Sequence, residues 1–326
     1  SENIYKGGEI MGIIVENPGI LTTVQDEGRF GFQQFGVSPA GPMDTQSFYL
    51  ANILAGNKRS EGVLEMTFSG PTLRFEKDNI IAITGASMSP CVNGNPIPMY
   101  QAVLVRAGET LSFGMTNGNG SRAYLAFAGG LDVPLVMGSK STLMRNQLGG
   151  IEGRKLEKGD SIGFVSPKTT LPNMEMRKLE PEVFPKKELT LRVVTGPQDT
   201  DFTEEELRRF FWYGAEITNE FDRMGCRLQR EEPLKHIGDG NIITDGIAFG
   251  SIQVPSNGQP IIMLADRQST GGYSKIGTVI SVDLPKLTQS VPGYRVRFVR
   301  IGIELAQNLY IRRQQKLRNL EKQLGK

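Results

Sequence analysis

The chain of 326 residues holds one histidine, two cysteines and one tryptophan. A single His and two Cys, at 91 and 226 and with no CxxC spacing, do not make a common zinc site. They also leave no Ser-His-Asp or Cys-His machinery except one built on His236. That residue sits in the polar stretch EEPLKHIGDG and reads as an ordinary surface histidine. Two separated thiols fit a reduced, cytoplasmic setting. No run approaches the ~18 apolar residues of a membrane span, so no membrane role is expected. The net charge of +2 gives no reason to expect a nucleic-acid partner. The N-terminal stretch lacks the continuous apolar core of a signal peptide, and residues 1–11 read as a polar, glycine-rich leader or tag. A phosphate-cradling GxxxxGK[ST] is missing. GSKST at 138–142 matches only its end, at the wrong spacing. No GxGxxG follows a strand and opens a helix. No biotinyl-lysine motif occurs, so no biotin is expected on this chain.

Against these absences stand 39 glycines and 18 prolines. Short β-type runs recur between them: 12–15, 79–84, 122–128, 189–194, 260–265, 278–283 and 294–299. Turn signals such as NGNP, TNGNGS, SNGQ and VPGY separate these runs, and TNGNGS reads as a hairpin turn. A mainly β protein of sandwiches or barrels follows. Helices are expected over 43–57, with Gly56 ending it, over 203–214, with a Thr203/Glu206 capping box, and over 303–323 with a solvated basic face. The stretch 166–188 has four prolines, mixed charge and no periodicity, as a linker does. The expected organisation is 12–166, a linker at 167–187, 188–302, and a terminal helix over 303–326.

Four segments concentrate reactive side chains. In GVSPAGPMD (36–44), Ser38 and Asp44 lie on a rigid Gly/Pro loop at a helix start, where backbone N–H groups favour anions. The alternative is that Asp44 simply caps the helix. In DRMGCRL (222–228), Arg223 and Arg227 share one face of a strand with Gly225 between them. Two guanidiniums so placed suit a carboxylate or phosphate, or else form surface ion pairs. In TDGIAFGSIQ (244–253), Asp245 marks a turn and Gln253 lies on a short strand before an SNG turn; alone this is an ordinary hairpin. In PIIMLADRQSTGGYSK (260–275), a strand ends on Asp266, Arg267 and Gln268, then a Gly-Gly step, Tyr273 and Lys275. A strand end carrying such a loop is a good place for a site, although Asp266–Arg267 is equally readable as a structural ion pair.

Taken in order, TTVQDEGRFGFQQFGVSPAGPMDTQSF, LEMTFSGPTLRF, AFAGGLDVPLVMGSKST, DRMGCRL and DGIAFGSIQVPSNGQPIIMLADRQSTGGYSKIGTVISVDLPKL resemble the allophanate hydrolase subunit 2 family, also called the biotin-dependent carboxyltransferase domain family. The resemblance spans about residues 12–310. Within that family it is most similar to the C-type subunits of bacterial 5-oxoprolinase. It implies tandem cyclophilin-like β-barrels and one component of an enzyme that opens 5-oxo-L-proline to L-glutamate. ATP would be the cosubstrate, with its site possible on a partner chain. The implied partners are a subunit 1-type (B-like) oxoprolinase protein and a further A-like one. Two other roles occur in the family: carboxyltransferase action with biotin carried on another chain, and non-catalytic control of a kinase inhibitor. The four segments are then expected to line one cleft for a small-molecule substrate. Asp266 or Asp245 would be the base, Lys275 and Tyr273 would stabilise developing charge, and Arg223, Arg227 or Arg267 would hold the substrate carboxylate, with Gln268, Gln253, Asp44 and Ser38 nearby.

Overall fold

The computed structural model describes residues 12–325, so the expected leader at 1–11 lies outside the described residues. Strands dominate. The helices are α1 (Thr45–Leu54), α2 (Glu204–Trp212), α3 (Leu284–Thr288) and α4 (Ile303–Gln323).

The first half builds two stacked antiparallel sheets. One has seven strands, with Gly12–Asn17 between Ser161–Phe164 and Thr72–Phe75 near its centre. The other has five, in the order Leu21–Gln25, Val63–Thr67, Arg122–Phe127, Asn79–Gly85 and Ala102–Val105. Its three central strands are buried along their whole length. That explains why NIIAIT and RAYLAF read as continuous apolar runs without alternation. Side-chain alternation nevertheless sorts them. Ile81, Ile83, Leu125 and Phe127 face the seven-stranded sheet, while Ala82, Tyr124 and Ala126 face α1 and the end of α4, where Leu317 and Leu324 close the layer.

The second half is a closed seven-stranded barrel. Its order is Glu188–Thr195, Lys275–Val279, Ser251–Gln253, Ile261–Met263, Gly225–Gln229, Ala215–Phe221 and Arg295–Arg300. The first and last of these pair in parallel and close it, with Leu191 opposite Phe298. Leu191, Val193, Ile217, Cys226, Leu228, Ile252, Ile262 and Phe298 fill the interior. α2 is capped by Thr203, which accepts from Glu206 N–H, and its Phe210 stacks on Phe298 at 4.4 Å. A two-stranded ribbon, Asn241–Gly246 against Thr270–Tyr273, stands off the barrel.

Two connections differ from expectation. TNGNGS is not a hairpin turn: it carries the chain from Thr110–Ser112 in one sheet to Arg122–Phe127 in the other. Gly118 and Gly120 take positive φ, which serves a sheet-to-sheet corner as well as a hairpin. The proline-rich stretch 167–187 is largely exposed but is pinned to the fold at intervals, with Leu171, Arg177 and Phe184 buried. Ile80 N donates to Lys168 O, Ala102 N to Arg177 O, and Leu179 N to Tyr100 O. The buried Arg177 guanidinium also donates to Ile53 O, Leu54 O and Leu324 O, tying α1 to the end of α4.

Candidate functional site

The four segments converge, but in two different environments. The first is a buried junction between the sheets and the barrel. The loop 36–44 crosses it. Ser38 Oγ donates to Arg267 O at 2.6 Å, and Met43 enters the barrel's apolar cluster. Arg223 is the hub. Its Nε and Nη2 donate to the two Asp266 oxygens at 2.9 Å each, Nη2 also to Gly41 O at 2.7 Å, and Nη1 to Glu65. The other Glu65 oxygen accepts from Met43 N–H and from the Tyr124 hydroxyl, both at 2.8 Å. Tyr124 Oη in turn accepts from Asp44 N–H at 2.7 Å. The Asp44 carboxylate caps α1 through Gln46 and Ser47 N–H and accepts from Gln289 Nε2. Burial works against the Arg223 charge, but the carboxylates of Asp266 and Glu65 overrule it and hold the guanidinium protonated.

Five expected site residues are therefore consumed in the fold. Asp266 is buried behind a bidentate partner and is not placed to activate water. Arg223 has no donor pair left for a substrate. Arg267 spends its guanidinium on Ile247 O and Leu264 O. Burial pushes its pKa down to about 10, against the pull of Asp266. Asp44 is an N-cap, and Ser38 is a tether. Arg223 and Arg227 do not form a clamp: Arg223 precedes the strand and turns into the junction, while Arg227 is exposed and pairs with Glu220 at 2.8 Å.

The second environment is an open cleft of about 480 Å³ on the outer wall of the barrel. Cys226, Leu228, Ile252 and Ile262 point inward, so alternation turns Arg227, Gln253, Ile261 and Met263 outward. These residues line the cleft together with Gln268 and Tyr273 of the limb entering the ribbon. Gln253 is the distinctive member. It is 2 % exposed, yet its Nε2 has no hydrogen-bond partner. A buried polar group without a partner is costly, and a bound ligand is one way to satisfy it. Gly271 explains the Gly-Gly step. A Cβ there would lie 2.6 Å from Gln253 Nε2, 2.8 Å from Ile247 Cδ1 and 3.0 Å from Gln268 Nε2. Both carboxamides therefore reach the bare backbone of Gly271, and a side chain there would have to push them aside.

Lys275 lies next to Gln253 across the barrel strands. It is buried, and its ammonium donates to Asp245 on the ribbon at 2.7 Å. It is a pinned charge, held by that ion pair. That contact, with help from Gly246 N–H and Gln198, holds the Asp245 carboxyl below its usual range. Asp245 pairs in register with Gly271 at the edge of the ribbon. Tyr273 is 39 % exposed at the mouth. His236 is half-buried, with its ring against Phe202 at 4.7 Å and Nε2 on Val254 O, away from the lining of the cleft.

The residues not anticipated are Glu65, Tyr124 and Gln289 in the junction and Gln198, Glu220 and Asp222 around the cleft. Glu65 carried a signal, as a lone acid inside the apolar run VLEM. Among the described residues no group of three or more His, Cys, Asp or Glu is placed to hold a metal, and no helix is long and apolar enough to cross a membrane.

A sequence model of the family described as carboxyltransferase domain, subdomain A and B, matches residues 35–300. The chain belongs to the carboxyltransferase-domain family. Among its relatives, the 5-oxoprolinase C-type subunit of Escherichia coli is 36% identical over 288 residues, covering 88% of this chain and 91% of that one. The Haemophilus influenzae protein of the same name is 34% identical, with 88% and 90% covered. Among solved structures, the Kluyveromyces lactis urea amidolyase superposes with a TM-score of 0.86 at 30% identity over 97% of this chain. This chain spans only 20% of the amidolyase. Both sides of the carboxyltransferase-domain junction, and the cleft itself, fall inside the matched range.

Proposed function

We propose that the chain is one component of an ATP-dependent 5-oxoprolinase that opens 5-oxo-L-proline to L-glutamate together with A-like and B-like partner chains. The observation that carries this reading is the two-way coverage. The 5-oxoprolinase relatives match nearly end to end, whereas the urea amidolyase uses the same fold as a fifth of a longer chain. The cleft supports it. A five-membered lactam presents a carbonyl, a ring N–H and a carboxylate. The carboxamides of Gln253 and Gln268 suit the lactam amide, Arg227 suits the carboxylate if it exchanges its exposed partner Glu220 for it, and Tyr273 closes the mouth. The buried Lys275 ammonium, oriented by Asp245, favours negative charge that develops nearby.

The cleft also argues for partners. Asp245 is held too acidic to serve as a strong base. Asp222 spends an oxygen on Met224 and Gly225 N–H. Glu220, the other carboxylate of the lining, is paired with Arg227. With these three carboxylates engaged, the base for water is assigned to a partner chain. The residues 138–142 do not fit a phosphate cradle. Lys140 N donates to Asp26, Lys140 Nζ is paired with Glu61, and Ser141 N donates to Ser139. The test is glutamate release from 5-oxoproline and ATP, with this chain alone and in a mixture with its partner chains. Turnover in the mixture that falls at least about tenfold in Gln253→Leu supports the reading. An assembled mixture with no turnover overturns it.

The superposition on the urea amidolyase favours a second reading, a carboxyltransferase component served by biotin on another chain. Binding of biotin in the Gln253 cleft, without oxoproline turnover, would select it.

A further inference from the structure

A larger cleft, about 940 Å³, lies away from the Gln253 site, between α4, α3, the segment 182–185 and the start of α1. Arg312, Arg313 and Lys316 reach it from neighbouring positions of α4. Arg192 and Lys286 face them from the barrel side and share one carboxylate, Asp283. Arg312 and Lys316 are exposed, and neither forms an ion pair among the described residues. Five cations against the carboxylates of Asp283 and Glu182 leave about three positive charges uncompensated. Burial, with the nearby Asp44, raises the Glu182 carboxyl to about 7, so at neutral pH it offsets less than a full charge.

Two polar atoms among the lining residues are also bare. Arg313 donates Nη1 to Ser281 O, but its Nε is buried without a partner. Gln46 Oε1 is buried and unpartnered as well. The first orphan is a charged donor and suits a carboxylate. The second is an acceptor and needs an N–H or O–H. Part of the lining is apolar: Val183, 85% exposed, with Pro185 and Leu309. An extended peptide meets all three demands. Each non-proline residue has a backbone N–H, which an extended segment leaves free and a helix has already spent. Successive side chains point to opposite sides, so acids can meet α4 while interleaved apolar residues meet Val183. An inorganic polyanion offers nothing to the apolar lining and no N–H to Gln46. The chain's net charge is only +2, so the positive field is local to this cleft and suits a short acidic segment rather than a long polyanion.

We propose that this cleft docks an extended acidic segment of another protein. Its carboxylates lie on Arg312, Arg313 and Lys316, a backbone N–H donates to Gln46, and an apolar side chain covers Val183. The assignment is of binding only and does not depend on the reaction proposed above.

The test is fluorescence anisotropy of a labelled, capped hexapeptide of alternating glutamate and leucine, titrated with the full chain. It should bind saturably, and added salt should weaken it. Hexaglutamate, which has no apolar residue for Val183, should bind more weakly, and a glutamine–leucine hexapeptide not measurably. Lys316→Gln and Arg312→Gln, both at exposed positions, should each weaken the glutamate–leucine peptide by roughly fivefold, and the double variant by more. Val183→Ser, also at an exposed position, should weaken that peptide and leave hexaglutamate unchanged. Arg106→Gln, an exposed arginine paired with Asp78 outside the cleft, should change nothing. Absence of binding, equal affinity for the glutamine–leucine peptide, or unchanged affinity in Lys316→Gln and Arg312→Gln overturns the proposal. Inorganic tripolyphosphate or a uridylate hexamer binding more tightly than the peptide would overturn it too, by making the cleft a phosphate site.

Discussion

Arg223→Met tests whether the junction is a structural lock or part of the chemistry. The substitution keeps much of the side-chain volume and removes the charge. In the native protein the guanidinium satisfies both Asp266 oxygens, one Glu65 oxygen and Gly41 O. The two carboxylate side chains are 8% and 2% exposed, so water cannot replace it. Breaking a buried ion pair from one side costs about 3–5 kcal/mol. A typical folded domain has about 5–15 kcal/mol in total, so the loss is a large fraction of stability. The sign with pH is fixed. Burial already pushes the Asp266 carboxyl above its ordinary value, and Arg223 is what opposes it. Without Arg223 the pKa rises further. A carboxyl whose folded pKa exceeds its unfolded one binds its proton more tightly in the folded state, so the variant gains stability as pH falls and loses it as pH rises through the folded pKa. Urea unfolding followed by circular dichroism at acid and neutral pH measures this. The gap to wild type should narrow toward acid. A loss below about 1 kcal/mol, or a gap that does not change with pH, would refute the assignment of Arg223 as a buried counter-charge.

Gln253→Leu should leave stability unchanged or raise it by up to about 1 kcal/mol, because a bare buried carboxamide is replaced by an apolar group, while ligand binding in the cleft is lost; a matched thermal melt and binding titration check both halves. Gly271→Ala should cost no more than about 1 kcal/mol, the low end for overpacking, because the new Cβ meets only the tips of Gln253, Ile247 and Gln268, but by turning the two carboxamides aside it should weaken ligand binding; unchanged binding would place the ligand elsewhere. Lys275→Met removes the first cause of the depressed Asp245 pKa, so the Asp245 carboxyl should titrate at higher pH than in the wild type, by NMR. With a thiol reagent the native protein should react at Cys91 alone, because burial in the barrel core raises the Cys226 thiol far above its ordinary value and excludes the reagent; two thiols released without denaturant would contradict the packing.

The β-rich class, the helix around 45–54 and the capped helix at 204–212 were legible because each has a local cause: turn residues, an Asp44 cap, a Thr203 cap. Of the expected Thr203/Glu206 box only the Thr203 half forms, because the Glu206 carboxylate accepts from Arg209 and from Lys235 N–H instead. The density of polar residues at 266–275 and 36–44 was legible too, but not its division of labour. Asp266 and Lys275 are nine residues apart and look alike in sequence. One faces inward to Arg223 from across the junction, and the other faces Asp245 on a ribbon. Only long-range pairing separates them. The same holds for 167–187, whose composition resembles a solvated spacer but whose backbone is claimed by strand edges at Ile80 and Ala102. Polar segments recruited by distant partners carry no periodicity of their own.

The helical layer of the first half contains its own order of assembly. α1 and the five-stranded sheet leave an apolar face around Tyr100 and Tyr124 that is completed only by Leu317 and Leu324, after the entire barrel has intervened. On the ribosome, that face must wait uncovered while the barrel is synthesised. The late helix is then a latch that closes the helical layer of the first half only once the barrel that separates them in sequence has been made.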